Sequence, residues 1–193
     1  MNYLVHSYLA DPEPLCRLGN LVGDFVKGSL DGIHPAALQR GLRQHRQVDV
    51  FAQEHPAFRR SRERIDSRFG LCRGILVDVF YDHFLARNWH DHSPLALGDY
   101  AAGIYRDIEA YLPALPEDFQ RVAPRMIDHD WLSSYRRPES VGRALERLDQ
   151  RLRRPRDLGS GLVEMERHAA GLAADCEEFL ADAIRHLRTH PHP

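Results

Sequence analysis

The sequence has few cysteines, no long apolar runs and almost no strand-forming patterns. Cys16, Cys72 and Cys176 lie far apart and form no CxxC pair, which argues against a disulfide framework or a thiolate zinc site. No apolar segment approaches the roughly 20 residues needed to cross a bilayer, and the N-terminal residues do not resemble a signal peptide. We therefore expect a cytoplasmic protein that does not act in a membrane.

A marked excess of one charge sign is also missing. The formal net charge of −2 provides no overall attraction to nucleic acid or to a membrane surface, and neither is expected as a partner. Lys27 is the single lysine among 26 basic residues. An arginine-biased genome would produce the same composition, so an arginine by itself does not identify a site.

Apolar residues recur at helical spacing between prolines, whereas period-two alternation is absent. This pattern predicts an all-α fold, a single-domain helical bundle over residues 1–193, with 189–193 as a frayed, disordered tail. No repeat or linker divides the chain. The predicted helices cover residues 15–27, 35–54, 69–89 and 160–187.

Polar residues occur where the helix over 35–54 should be apolar. At about 100° per residue, His45 and Asp49 fall on the same stripe as Leu38 and Leu42. A helix that buries these leucines must therefore carry the His–Asp pair inward. A buried histidine alone is more often a satisfied core residue than a ligand, so the pair needs support from elsewhere in the chain.

The helix over 69–89 repeats this pattern, because Asp78, Asp82 and His83 occupy or flank its apolar seam. Two carboxylates one turn apart on a buried face repel each other, and burying either one alone is costly. A divalent cation would remove both problems, although pairing with an arginine is the alternative. Periodicity alone selects neither Asp24 nor His6, but Gly19 and Gly23, which lie near Asp24 in the sequence, suit close helix packing or close approach to a ligand.

Histidine and aspartate ligands without cysteine suit Mn²⁺, Mg²⁺, Fe²⁺ or Zn²⁺. Such a cation can polarise a phosphoryl oxygen and lower the pKa of bound water. Arg46, next to His45, could clamp a phosphate at the edge of the site or could simply be a surface arginine.

At these residues the chain resembles the acyl carrier protein phosphodiesterase family. The resemblance runs from the start to about Tyr135, which is about two-thirds of the chain. The matching segments, in order, are MNYLVHSYLA, GNLVGDFVKG, GLRQHRQVDVFAQEHP, GILVDVFYDHFLARNW and MIDHDWLSSY.

The resemblance implies an all-helical enzyme, similar to HD-domain phosphohydrolases, that hydrolyses 4′-phosphopantetheine from holo-acyl carrier protein. It implies a divalent metal, with Mn²⁺ favoured and Mg²⁺ or Fe²⁺ as alternatives. By the same resemblance, Asp82 and His83 form the HD pair. The further ligand candidates are Asp24, His45 and Asp78, with His6 as a weaker one.

The implied partner is acyl carrier protein, a small acidic helical protein, which favours a basic docking surface on this chain. A run of arginines before the DxxxDH helix is the candidate for that surface: Arg59, Arg60, Arg62 and Arg64. For the chemistry, Asp49 or Asp24 could take a proton from water. Arg46 and Lys27 could neutralise charge on the phosphoryl oxygens.

Three other interpretations remain open. An HD-like phosphohydrolase of nucleotides or other small phosphoesters would use the same residues. A non-catalytic module that binds carrier protein or metal would bind tightly without forming product. Haem held by His45 and His83 is a weaker possibility.

Overall fold

The computed structural model describes residues 1–30 and 34–190, and every regular element in these ranges is helical. The predicted all-α class is therefore confirmed. Within the described ranges, no helix combines the length and the apolar character needed to span a bilayer. The twelve α-helices of these ranges are α1 (Tyr3–Leu9), α2 (Pro14–Leu21), α3 (Ala36–Glu54), α4 (Pro56–Arg64), α5 (Arg73–Arg87), α6 (Trp89–His92), α7 (Leu97–Tyr111), α8 (Glu117–Asp128), α9 (Trp131–Ser134), α10 (Pro138–Asp149), α11 (Leu162–Arg167) and α12 (Ala169–Thr189).

The helix predicted over 35–54 agrees closely with α3, but the other predicted boundaries shift where glycine interrupts the helical pattern. The helix predicted over 15–27 ends at Leu21, and a short 3-10 turn, Gly23–Phe25, follows it. The helix predicted over 69–89 starts only at Arg73, because Gly70 in the preceding turn has a φ of 53°. Glycine accepts this conformation readily, whereas other residues are strained in it.

The C-terminal segment also differs from its prediction. The single helix expected over 160–187 is divided into α11 and α12, and His168 lies at the junction with non-helical dihedral angles. Thr189, predicted to begin a frayed tail, is the last residue of α12, and its hydroxyl donates hydrogen bonds to the carbonyls of Arg185 and His186. Residues 191–193 lie outside the described residues.

Helices α2 and α3 pack closely because each presents a glycine to the other. A Cβ on Gly41 would lie 1.9 Å from the carbonyl oxygen of Cys16, and one on Gly19 would lie 2.3 Å from that of Leu38. No larger residue fits at either position without separating the helices. This contact brings the side chain of Asn20 to within 3.1 Å of Gln44.

The short helix α1 is held by a carboxylate of α5. The backbone N–H groups of Leu4 and Val5 donate to the two oxygens of Asp82 at 3.0 and 2.9 Å. A negative charge at a helix N-terminus satisfies free N–H groups and interacts favourably with the helix dipole. Asp82 thereby fixes the helix that carries His6.

Candidate metal centre

A cluster of two histidines and one aspartate lies between α1 and α3. The Nε2 atoms of His6 and His45 are 3.3 and 3.2 Å from Oδ1 and Oδ2 of Asp49, respectively. The two imidazole rings stack with their centroids 3.8 Å apart. Candidate ligand atoms of these residues all lie within 4.8 Å of one another. Both Nε2 atoms thus face a single carboxylate, one at each oxygen.

Asn20 orients both imidazoles. Its side-chain oxygen is 2.8 Å from Nδ1 of His6, and its backbone carbonyl oxygen is 2.7 Å from Nδ1 of His45. Because both oxygens are acceptors, each Nδ1 carries the proton, and each Nε2 is left to bind a metal.

A chain of hydrogen bonds fixes the orientation of the Asn20 amide. Nε2 of Gln44 donates to the carbonyl oxygen of Leu9 at 3.4 Å, so Oε1 of Gln44 faces Asn20. That oxygen accepts from Nδ2 of Asn20 at 3.1 Å, which turns Oδ1 of Asn20 toward His6. Because the carbonyl of Leu9 can only accept, it fixes the orientation of the Gln44 amide, and the Gln44 amide fixes that of Asn20. Oδ1 of Asn20 then accepts from Nδ1 of His6 and sets the tautomer of that ring.

The variant Asn20→Ala should weaken metal binding while the helical fold is retained. It leaves the Nδ1 proton of His6 without its acceptor and frees the ring to rotate. Loss of such an orienting group typically lowers metal affinity by about 10–100-fold. Titration with Mn²⁺ followed by electron paramagnetic resonance measures this affinity. Asn88→Ala, whose side chain contacts Glu177 instead, is the control, and equal Mn²⁺ affinities in both variants would contradict the role assigned to Asn20.

Further charged groups surround the cluster. Oδ1 of Asp24, a residue with a 68% exposed side chain, is 3.5 Å from Nε2 of His45. The amino group of Met1 lies 2.8 Å from Asp49 and 3.4 Å from Asp78. The fold therefore brings Asp24, Asp49 and Asp78 together from three different segments of the chain.

The histidines of the cluster differ in protonation. Burial lowers the pKa of His6 to about 4, so this imidazole is neutral at pH 7 and suited to bind a metal. Burial also disfavours the charged form of His45, but Asp24 and Asp49 outweigh it and raise the pKa of His45 to about 9. A cation that binds His45 must therefore displace a proton.

The residues present fit a divalent cation. Nε2 of His6 is buried, and its 3.3 Å contact with Oδ1 of Asp49 joins two acceptors when Nδ1 carries the proton, so the nitrogen has no hydrogen-bond partner. This is costly unless something else satisfies the atom. Two imidazole nitrogens and a carboxylate form a donor set that suits Mn²⁺, Fe²⁺ or Zn²⁺. A cation held by His6, His45 and Asp49 would satisfy Nε2 of His6 and neutralise the surrounding carboxylates.

Asp82 and His83 are buried, as the periodicity predicts, but they lie outside this cluster. Both oxygens of Asp82 accept from α1, and burial raises its pKa to about 7. Nδ1 of His83 is 2.7 Å from the carbonyl oxygen of Tyr135, whereas Nδ1 of His45 faces the carbonyl oxygen of Asn20. The two histidines are therefore oriented by different segments of the chain. A ligand role for the pair, which the resemblance implies, stays a prediction.

The variant Asp82→Asn distinguishes a structural role of Asp82, as acceptor for the N–H groups of α1, from a role as metal ligand. An asparagine can accept from one N–H of α1 but presents its own donors to the other, so we expect a loss of about 1–3 kcal/mol in the free energy of unfolding. Urea denaturation measures this loss, and Asp99→Asn at the exposed start of α7 is the control. Unchanged stability together with loss of Mn²⁺ binding would instead identify Asp82 as a ligand.

Arg46 and Lys27 lie at the edge of the site. The guanidinium of Arg46 donates to the carbonyl oxygens of Gly28 and Val26 at 2.8 and 3.4 Å, so it holds the segment that follows Asp24. Lys27, in that segment, is exposed. Their predicted contact with a phosphoryl group stays a prediction.

A cavity of about 420 Å³ opens beside the cluster. One end is acidic, with Asp24, Asp49 and Asp78. The rest of its wall is mainly apolar and includes Phe58, Leu71, Ile75, Val79 and Leu148. An acidic end of this kind attracts a cation rather than an anion, so a phosphate could approach it only with a cation bound between the two.

The four predicted docking arginines occupy different faces of α4. Arg60 and Arg64 are ion-paired with Asp175 of α12, at 2.9 and 3.1 Å, and the guanidinium of Arg60 also contacts Glu178. Arg62 lies at the cavity and stacks on Phe58, while Arg59 is exposed. A shared role in docking stays a prediction, and Arg62 is the member nearest the site.

Sequence reasoning missed Asn20 and the amino group of Met1. The two glycines that drew attention to Asp24, Gly19 and Gly23, also enclose Asn20 in the sequence, and this was the one signal that could have identified it. In the structure, a Cβ on Gly23 would lie 2.1 Å from the ring of His45. The glycine is thus the reason that the imidazole can lie against this turn.

An all-helical fold with two buried histidines and a half-buried aspartate beside a cavity defines a class of helical proteins with a candidate metal centre. The model of one family, acyl carrier protein phosphodiesterase, matches residues 1–183, which extends well beyond the segments recognised in the sequence. The chain belongs to this family.

Proteins named acyl carrier protein phosphodiesterase are similar to the chain over nearly its whole length. The one from Serratia proteamaculans is 32% identical over 97% of this chain and 98% of its own length. Those from Photorhabdus laumondii and Escherichia coli O157:H7 are 31% and 30% identical and cover 90% and 93% of this chain and 88% and 93% of their own lengths. No solved structure matches the chain.

Proposed function

We propose that this protein is a divalent-cation-dependent phosphodiesterase that hydrolyses holo-acyl carrier protein to apo-acyl carrier protein and 4′-phosphopantetheine. Membership of the family supports the reaction. The observation that supports the site is the buried, hydrogen-bond-free Nε2 of His6 beside His45 and Asp49. Mn²⁺ is the proposed cation, with Mg²⁺ and Fe²⁺ as alternatives.

His6, His45 and Asp49 would hold the cation, which supplies Lewis-acid polarisation of a phosphoryl oxygen. Asn20 keeps both imidazoles in the required tautomer. Asp24, exposed at the acidic end of the cavity, is placed to accept a proton from an attacking water.

The cavity supports the proposal that the protein binds the phosphopantetheine arm. Its volume of about 420 Å³ falls in the range of about 300–1,000 Å³ typical of small-molecule sites. Ile75 and Val79 lie on either side of Asp78 along α5, and both line the cavity, so a chain whose phosphate is bound through the cation would lie against apolar side chains. Arg62 at the cavity can neutralise a phosphoryl oxygen or an acidic group of the partner.

Intact mass spectrometry tests the reaction. Metal-stripped protein is incubated with holo-acyl carrier protein, with and without Mn²⁺. We expect loss of the phosphopantetheine mass only when Mn²⁺ is present. An unchanged holo-protein mass, with the enzyme folded and Mn²⁺ bound, would reject the proposal, and parallel incubations with nucleotides would then test the phosphohydrolase alternative.

A further inference from the structure

Leu71 is the most exposed of the large hydrophobic residues in the described ranges. Its relative accessibility is 102%, while Val50, the next most exposed, has 57%. A leucine held fully in water gains nothing from the hydrophobic effect in the free protein. Single exposed apolar residues are common, so exposure alone does not identify Leu71 as part of a site, and its position must be considered.

That position is the rim of the site cavity. Leu71 lines the same cavity as Asp49 and Asp78, in the 3-10 turn that precedes α5. Gly70 directs this turn with φ 53° and ψ −127°. A Cβ on Gly70 would meet nothing within 4 Å, so there is space for a larger residue. Glycine is favoured here because of its positive φ, which other residues rarely adopt. Nε of Arg73 donates to the carbonyl oxygen of Gly70 at 3.1 Å and thereby braces the turn.

The surroundings of Leu71 are basic. Arg62 lies along the same cavity and stacks on Phe58. Arg68 belongs to the turn, and Arg73 directly follows it. In residues 1–30 and 34–190, these three guanidinium groups have no carboxylate ion-pair partner, whereas Arg60 and Arg64 of the same region do. The rim therefore joins one exposed apolar side chain to positive charge that is not neutralised within the described chain.

We propose that Leu71, together with Arg62 and Arg73, docks the body of the carrier protein, and this inference rests on the proposed function. An acidic helical partner places carboxylates opposite the arginines. Leu71 inserts into an apolar gap on the partner's surface, as buried anchor residues do at the centres of interfaces. The phosphodiester is then aligned with the acidic end of the cavity, which Leu71 shares with Asp49.

Binding of labelled apo-acyl carrier protein, followed by fluorescence anisotropy, tests the contact without requiring turnover. We expect Leu71→Asp to raise the dissociation constant at least about tenfold, as loss of an anchor residue does. Val163→Asp is the matched control, because Val163 is 52% exposed on α11, and should bind like the unmodified protein. The KM for holo-carrier protein should rise with the dissociation constant, while kcat stays within about twofold.

The possible outcomes distinguish the proposed docking surface from the proposed phosphodiesterase reaction. Equal dissociation constants for Leu71→Asp and Val163→Asp would overturn the docking surface, even if the enzyme is active. Weakened binding in Leu71→Asp alone, with no turnover by the unmodified protein, would support docking and reject the reaction. If Leu71→Asp instead dissociates a dimer of this chain and leaves carrier-protein binding unchanged, the surface belongs to a second copy, and docking is overturned.

Discussion

The variant Asp49→Asn is expected to lose Mn²⁺ binding and almost all phosphodiesterase activity. Asp49 is the carboxylate that faces Nε2 of both His6 and His45, and asparagine keeps its size while removing its charge. The charge stabilisation that a metal supplies to a phosphoryl transition state is worth several kcal/mol. We therefore expect kcat/KM on holo-carrier protein to fall by on the order of a thousandfold.

Isothermal titration with Mn²⁺ measures the loss of binding directly, and intact mass spectrometry measures the loss of turnover. Asp91→Asn is the matched control, because Asp91 also contacts a histidine, His90, at 3.3 Å but does so on the exposed surface. The helical circular dichroism signal should be the same in both variants. Mn²⁺ affinity in Asp49→Asn equal to that of the control would refute the proposed metal centre.

The variant Gly23→Ala should disrupt the site through a steric effect alone. The added methyl group would lie 2.1 to 2.5 Å from Cγ, Cδ2 and Nδ1 of His45. The ring has little room to yield, since its Nδ1 is bound to the carbonyl of Asn20 and its face is stacked on His6. We expect Mn²⁺ affinity and kcat to fall by about 10–100-fold, as for other changes that displace a metal ligand.

Overpacking of this kind also lowers the free energy of unfolding by about 1–3 kcal/mol, so stability is measured alongside Mn²⁺ affinity. Gly98→Ala is the control, because a Cβ there meets nothing within 4 Å and the position lies in helix α7. If Gly23→Ala retains both the Mn²⁺ affinity and the activity of Gly98→Ala, His45 is not held as the structure indicates.

Together, these variants distinguish a metal ligand from a residue that only supports one. Asp49→Asn removes a donor, Gly23→Ala moves a ring, and Asp82→Asn weakens the attachment of α1. Metal affinity should fall most in the first variant, and Asp82→Asn should mainly affect stability. A different order would show that Asp82 contributes more to the site than its contacts with α1 indicate.

Helical periodicity predicted the burial of three polar side chains but overestimated it for two carboxylates. His45, Asp82 and His83 are at most 3% exposed, as expected for residues on a stripe that faces the core. Asp49 and Asp78, also predicted on or beside an inward stripe, have side chains that are 32% and 29% exposed, because both line the cavity. The same rule could not separate Asp82 from Asp49, although one accepts hydrogen bonds from backbone N–H groups and the other faces two imidazoles. Periodicity specifies the side of a helix but not what lies opposite it.

The arginines of α4 illustrate the same distinction. Their density in the sequence indicated a basic surface, but the structure pairs Arg60 and Arg64 with α12 and leaves Arg62 at the cavity. Residues two positions apart on a helix point in widely different directions. Which direction meets a carboxylate depends on a helix more than 100 residues away, and no local pattern contains that information.

The sequence by itself determined the all-α class, the inward His–Asp pair of α3 and the family. These follow from short-range regularities, namely a 3.6-residue period and ordered motifs. The resemblance offered His6 only as a weaker candidate, and the tertiary structure places its ring against that pair. Tertiary structure alone decided that Asn20 and the amino group of Met1 join the pair, and that Asp82 accepts from the backbone of α1. The physical reason is that a metal centre depends on distances of a few ångströms between separate helices, and only the packing of those helices sets such distances.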